Sequence, residues 1–344
     1  MAMNLFEALS QELEHKAKPV ASGGLTANNF AVDIGGEALV KPKSLIRSNA
    51  VSALLTKPIL QLNTFPITLN PEKFKNPLST SNPDGSLEAL WNFRQLIDPI
   101  PEFSHYYSPS LRSTESTFEM IVKGASISND FPFTSSVIAE TQKKLAMLKY
   151  ANMDNTLGSW APVYASPSDW YDISNGRYKS LDFDLDKVGN SDSPFATIGQ
   201  SMSNKELSIC SNCKAVTTKS IAAASKVKKV SLKFMQVNLL RPWYNELLFD
   251  TNGWYLAGQQ AGFCSSGRLD ANDGTIPLLP TSVILATDVD VDADWSHEDQ
   301  KAIDGAIAQG DHVSLGNVVI SAPSHFIQVI GWITELTPFS PKMP

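Results

Sequence analysis

The chain has 344 residues, 42% of them hydrophobic, with a formal net charge of −7 and a pI near 5.3. That length buries one large core or two ordinary ones, and the acidic balance excludes nucleic acid as the main partner, because phosphate binding needs concentrated Lys and Arg. Charged residues make up only 18%, below the usual share, and Ser, Thr, Asn, Pro and Gly fill the gap, a composition that favours strands and loops over long surface helices.

The first segment carries Leu5, Phe6, Leu9 and Leu13 on one stripe, the spacing of an amphipathic helix that ends near Pro19. It lacks the basic n-region, apolar h-region and small-residue cleavage site of a secretory signal. The expected location is therefore the cytoplasm, or outside the cell by a route without a cleaved signal peptide. No stretch approaches the roughly 18 apolar residues of a membrane span, so a soluble protein with no transmembrane segment is expected.

After Gly23-Gly24 come extended segments and turns, among them Asn82-Pro83-Asp84-Gly85. Ser86 caps a helix carrying Leu87, Leu90, Phe93, Leu96 and Ile97. A third helix is predicted over residues 135–150, with Ile138, Leu145 and Leu148 inward and Lys143, Lys144 and Lys149 outward. Residues 152–212 are rich in Ser, Asp, Asn and Gly, with Trp160, Trp170 and Tyr178 interspersed, and read as a surface excursion between two halves. The division that follows is a mixed, helix- and loop-rich region 1–215 and a strand-rich region 216–344, with a single domain as the alternative.

Beyond that division Val230, Leu232 and Phe234 alternate with Lys229, Ser231 and Lys233, the pattern of a half-buried strand over 228–240. A second strand, read from residue 281, places Val283, Leu285, Val289, Val291 and Trp295 on one side and Asp288, Asp290, Asp292 and Asp294 on the other. Ser296 caps a short helix whose N-terminus is favoured by Glu298 and Asp299; Ala302, Ile303, Ala306 and Ile307 form its buried face, and Gly310 ends it. Strands over 317–321 and 325–336 close the chain, the latter apolar on both faces and so central in a sheet. The fold class is α+β, with a mixed or mainly antiparallel sheet in the C-terminal half and short helices packed on it.

Asp288, Asp290 and Asp292 occupy the first, third and fifth places of a calcium loop, with Asp299 at the twelfth. Ala293 stands where such a loop needs Gly, and the intervening valines continue a strand, so sheet register explains the spacing better. Lys229 and Lys233 are the expected partners of these carboxylates. The other cation reading is a site shared with Asp182 and Asp184, from the alternating run Leu181-Asp182-Phe183-Asp184-Leu185-Asp186. Cys210-Ser211-Asn212-Cys213 has a spacing that holds zinc or a redox disulfide, and Cys264 with a histidine or carboxylate would have to complete a zinc site. Three cysteines make no disulfide framework, so reduced thiols are expected.

Ca2+ and Zn2+ are thus the cofactor candidates, and the expectation is that neither is required. The five histidines include no H-E-x-x-H, and the chain has no G-x-S-x-G, no phosphate-binding loop and no strand-linked G-x-G-x-x-G. The chain therefore does not read as an enzyme. Trp243, Tyr244, Trp254, Tyr255, Trp295 and Trp332 crowd the C-terminal half, where core packing is the default against a sugar-stacking platform or partner interface.

The order Arg241-Pro242-Trp243, Leu248-Phe249, Trp254, Ser266-Gly267, Leu279-Pro280-Thr281-Ser282, Asp294-Trp295, Gly331-Trp332 and Thr337-Pro338-Phe339-Ser340-Pro341 resembles a scattered family of bacterial and fungal proteins. Some of these are similar to companions encoded beside α-helical pore-forming toxins, as in motility-associated killing factor loci of vibrios. The likeness covers residues 230–341 and brings no catalytic residue. It implies a non-enzymatic accessory or interaction protein of a bacterial toxin or virulence system, with a protein partner. The alternatives are a metal-binding protein or metalloenzyme, using the aspartate faces or the three cysteines, and a carbohydrate-binding protein.

Overall fold

The computed structural model describes residues 5–14, 58–101, 106–107, 109–128, 131–153, 157–184, 195–196, 206–211, 215–269, 271–321 and 325–343. Along them run helices α1 (Leu5–Glu14), α2 (Leu87–Ile97), α3 (Thr114–Gly124), α4 (Pro132–Met147), α5 (Leu247–Asp250) and α6 (His297–Ala308). The strands of the two main sheets are β1 (Ile59–Leu69), β2 (Tyr106–Tyr107), β3 (Tyr164–Ser166), β4 (Lys179–Asp184), β5 (Glu206–Ser211), β6 (Ala215–Ser220), β7 (Lys226–Leu240), β8 (Leu278–Asp294), β9 (His312–Leu315), β10 (Val318–Val319) and β11 (Ile327–Leu336). The larger sheet has the order β2-β1-β11-β8-β7-β3, with β4 also paired to β7. Apart from the parallel β1–β2 contact its pairings are antiparallel. The smaller sheet has the order β6-β5-β9-β10. The fold is α+β with mainly antiparallel sheet in the C-terminal half, and the larger sheet joins strands from both sides of residue 215.

Side-chain alternation divides the apolar residues between two cores lying on opposite faces of the larger sheet. On β7, Met235, Val237 and Leu239 belong to the first core, while Val230, Leu232 and Phe234 belong to the second. On β8, Val283 and Leu285 face the first core, and Ile284 and Ala286 face the second. Helices α2 to α5 close the first core; α1, α6 and the smaller sheet close the second. Each large apolar side chain so buried stabilises the fold by about 1.5–3 kcal/mol.

Strand β11 is central and two-faced as predicted: Ile327, Val329 and Trp332 enter the first core, Ile330 and Ile333 the second. Gly331 is required between them, because a Cβ there would stand 2.7 Å from the Gln61 carbonyl oxygen of β1.

Ser86 accepts from Ala89 N at 3.1 Å and starts α2. Helix α4 begins earlier than expected, with Pro132 in its first turn, where the missing N–H costs nothing. Helix α3 was not foreseen; Ser113 caps it by accepting from Ser116 N at 3.1 Å. Helix α6 starts at Ser296, whose Oγ accepts from Asp299 N at 3.1 Å. It buries Ile303 and Ala306 but turns Ile307 outward, and Gly310 (φ 74°) follows its end.

The surface excursion read over 152–212 is corrected. Strands β3 and β4 join the larger sheet, β5 is interior to the smaller one, and Trp160, Trp170, Tyr178, Leu181 and Phe183 are buried. Single aromatic residues among turns fill core space that periodicity does not reveal: Trp170 packs between Phe74 and Phe93 at centroid distances of 5.1 and 5.3 Å. No helix among the described residues is long and apolar enough to cross a membrane.

Candidate functional site

The long strands β7 and β8 extend past the first core, and there one face of the sheet is left to solvent and charge. Register brings the charges together. Lys229 pairs with Asp292 and Ser231 with Asp290 across β7–β8, and on the other edge of β7 the same two residues pair with Asp184 and Asp182. Between Ser231 and Lys233 the β7–β8 register shifts by one residue, and Asp288 takes a left-handed conformation (φ 50°). This is a β-bulge, which admits one extra residue on β8 and reverses the facing of everything beyond it.

The bulge corrects the expected facing of β8. Val283 and Leu285 lie in the first core, whereas Val289, Val291 and Trp295 pack against the second, on the opposite side. Simple alternation would have carried the valines on with Val283. The extra residue instead turns Asp290 and Asp292 onto the face that Val283 and Leu285 occupy further along, where Asp288, Asp290, Asp292 and Asp294 are exposed. A second shift, between Val227 and Lys229, places an extra residue on β7.

The lysines of β7 partner these carboxylates. Lys233 Nζ is 2.9 Å from Asp288 Oδ2, Lys229 Nζ is 3.0 Å from Asp182 Oδ2, and Lys228 Nζ is 2.9 Å from Asp294 Oδ1 and 3.9 Å from Asp292 Oδ1. The hydrogen bond that Lys228 donates to Asp294 is the main cause that raises the Lys228 pKa. Lysine pairing was expected, but Lys229 turns to β4 rather than to the aspartate strand. Asp290 has no ion-pair partner among the described residues.

Of the residues considered for a cation, Asp182 and Asp184 flank β7 on one side, and Asp288, Asp290 and Asp292 on the other. The lysine-bearing strand separates the two rows, and Lys229 supplies the positive charge between them. Asp299 points elsewhere: fully buried, its Oδ2 accepts from Ala222 N at 2.9 Å and Ser225 Oγ at 2.6 Å, and Lys219 Nζ lies 3.1 Å from Oδ1. Burial pushes the Asp299 pKa up, but those hydrogen bonds and Lys219 outweigh it and hold it below the usual value. Among the described residues no group of three His, Cys, Asp or Glu side chains is placed to hold a metal ion.

The cysteines are dispersed. Cys210 is on β5, half-buried and opposite His312 of β9. Cys264 is in the first core, where burial pushes its thiol up to about 12. Cys213 and Asp186 lie outside the described residues, as do His15 and His105.

The aromatic residues of the C-terminal half serve mainly as core. Trp243, Trp254 and Trp332 are fully buried; Trp243 Nε1 donates to the Pro162 carbonyl at 2.7 Å and Trp332 Nε1 to Asn63 Oδ1 at 2.9 Å. Tyr244, Tyr255 and Trp295 are half-buried, so the fully buried tryptophans present no sugar-stacking face. A cleft lined by Phe74, Leu90, Phe93, Tyr164 and Trp170 has about 20 Å³ of free volume, room for about one water molecule.

A buried ionic cluster escaped sequence reasoning. Arg94 Nη2 is 2.8 Å from Glu115 Oε2 and 3.2 Å from Asp98 Oδ2, while Lys149 Nζ is 3.5 Å from Glu115 Oε1 and 2.8 Å from Glu119 Oε2. It ties α2 to α3 and to the chain just after α4. The only signal in the sequence was the i,i+4 spacing of Arg94 and Asp98. No protein family, no curated protein and no solved structure matches the chain.

Proposed function

We propose that the protein is a non-enzymatic interaction protein that docks a basic protein partner on the charged face of β4, β7 and β8. The observation that carries this reading is the composition of the face: six aspartates, Asp182, Asp184, Asp288, Asp290, Asp292 and Asp294, against Lys226, Lys228, Lys229 and Lys233. The row is net acidic on a rigid scaffold, and rows of opposite sign on a partner would steer and register its approach. The setting, an accessory of a bacterial toxin or virulence system, rests on the likeness of residues 230–341 to toxin-locus companions.

The test is affinity capture from the native host with the wild-type chain and with Asp290→Lys/Asp292→Lys. A basic protein retained by the wild type, released by salt and lost from the variant supports the reading. Equal retention by both chains overturns it. The second reading, cation binding, draws on Asp290, which has no ion-pair partner among the described residues. Millimolar Ca2+ should leave the melting temperature unchanged if docking is correct, and should raise it if this face collects a cation.

A further inference from the structure

On the smaller sheet Cys210 of β5 stands directly opposite His312 of β9 in an antiparallel pair. Side chains at such positions share a face, with Cβ atoms about 4.5–5.5 Å apart. Which face is decided by their neighbours. Leu207, Val313 and Leu315 lie in the second core and Ile209 packs against it, so Cys210 and His312 project from the other side of the sheet, where both are half-buried.

Among the described residues on and beside these strands, two charged groups lie near the pair in sequence. Glu206 is four positions back on β5 and Asp311 adjoins His312, while the β6 residues registered opposite Cys210 and Ser208 are Val216 and Thr218. Among the described residues, the imidazole is therefore the proton-accepting side chain in register with the thiol. A thiol gains reactivity when a neighbouring imidazole accepts its proton and stabilises the thiolate.

We propose that Cys210 is a reactive thiol with His312 as its proton acceptor, and that it is a site of reversible thiolation by low-molecular-weight disulfides. The Cys210 sulfur attacks one sulfur of the small disulfide, a new S–S bond forms as the old one breaks, and the other half leaves as a thiolate. The proton passes to His312. The small disulfide is the oxidant, and a second small thiol reverses the step. Cys264 supplies the internal contrast, because it is wholly buried in the first core.

The experiment alkylates the full-length chain in a Cys213→Ser background with iodoacetamide and follows each cysteine by peptide mass spectrometry. An ordinary thiol slows about fiftyfold between pH 8.5 and 6.5, following its thiolate fraction. Cys210 should slow less than about tenfold, His312→Gln should restore the ordinary fall, and Cys264 should stay unlabelled throughout, reporting an intact fold. Glutathione disulfide should add to Cys210, and dithiothreitol should remove it. An ordinary fall in rate at Cys210, or a profile unchanged by His312→Gln, overturns the proposal. A readout without the histidine variant is the rate at pH 6.5 in the folded chain against the same cysteine in urea: faster in the folded chain supports the proposal, slower overturns it. None of these outcomes depends on the docking face.

Discussion

Lys233 Nζ lies 2.9 Å from Asp288 Oδ2, so the residue at the bulge of β8 is also gripped by the strand opposite. The left-handed backbone at Asp288 (φ 50°) is one that Asp and Asn tolerate and β-branched residues do not. Asp288→Val should therefore lower the unfolding free energy by about 1–3 kcal/mol. Asp288→Asn, which keeps the conformation and loses only an exposed pair, should cost less than about 1 kcal/mol. Urea unfolding of both variants decides, and equal losses would mean that the backbone at this position carries no weight.

The lysine ladder can be tested by reversal. Lys229→Glu/Lys233→Glu places like charges beside Asp182 and Asp288 and should destabilise the chain by about 1 kcal/mol, since exposed pairs are individually weak. The loss should shrink in 1 M salt, where the screening length falls to about 3 Å. A melting temperature that does not move at low salt would count against the pairing.

Glu115 is 3% exposed and is held by Arg94 and Lys149. Removing one member of a buried ionic cluster leaves the rest uncompensated, so Glu115→Ala should cost about 3–5 kcal/mol. Chemical denaturation would show it; a loss under about 1 kcal/mol would mean that water reaches Arg94 in the variant.

Two opposite titrations shape the pH dependence. Glu246, Asp250 and Glu335 are exposed as whole residues, yet protein surrounds enough of each carboxyl group for burial to be the first cause of an upward shift. Asp250 adds to the rise at Glu246, Glu246 to that at Glu335, and Lys342 opposes it at Asp250. A carboxyl whose folded pKa is raised weakens the fold when ionised, so stability should grow as pH falls through those raised folded values toward the ordinary carboxyl range. Asp299 acts the other way: its stabilisation is present above the ordinary value of 3.8 and is lost as pH falls through its lower folded pKa. The melting temperature should thus peak on the acid side of neutrality, and Glu335→Gln should flatten the rise. A peak at or above neutral pH would contradict the assignment.

What the sequence disclosed was local. The alternation over 228–240, the Ser86 and Ser296 caps and the two-faced apolar run of β11 each depend on a few neighbouring residues, and each is found in the structure. The bulge at Asp288 was hidden because Asp and Val continue to alternate through it, so the pattern stays intact while the facing changes. Lys233 could be matched to the aspartate strand from sequence, but Lys229 binds Asp182, because nothing local says that β4 lies on the outer edge of β7. The Cys210–His312 pair joins residues on strands far apart in the chain, and no spacing rule connects them.

The peptide bond between Phe234 and Met235 is where β7 leaves one core and enters the other. A strand used in this way ties the fates of both cores. If either came apart, the long strands would keep one oily side dressed and expose the other, on the same hydrogen-bonded ribbon. The chain should therefore melt in one step, and proteolytic nicking should yield no stable half, since no cut between helices separates one core from the strands of the other.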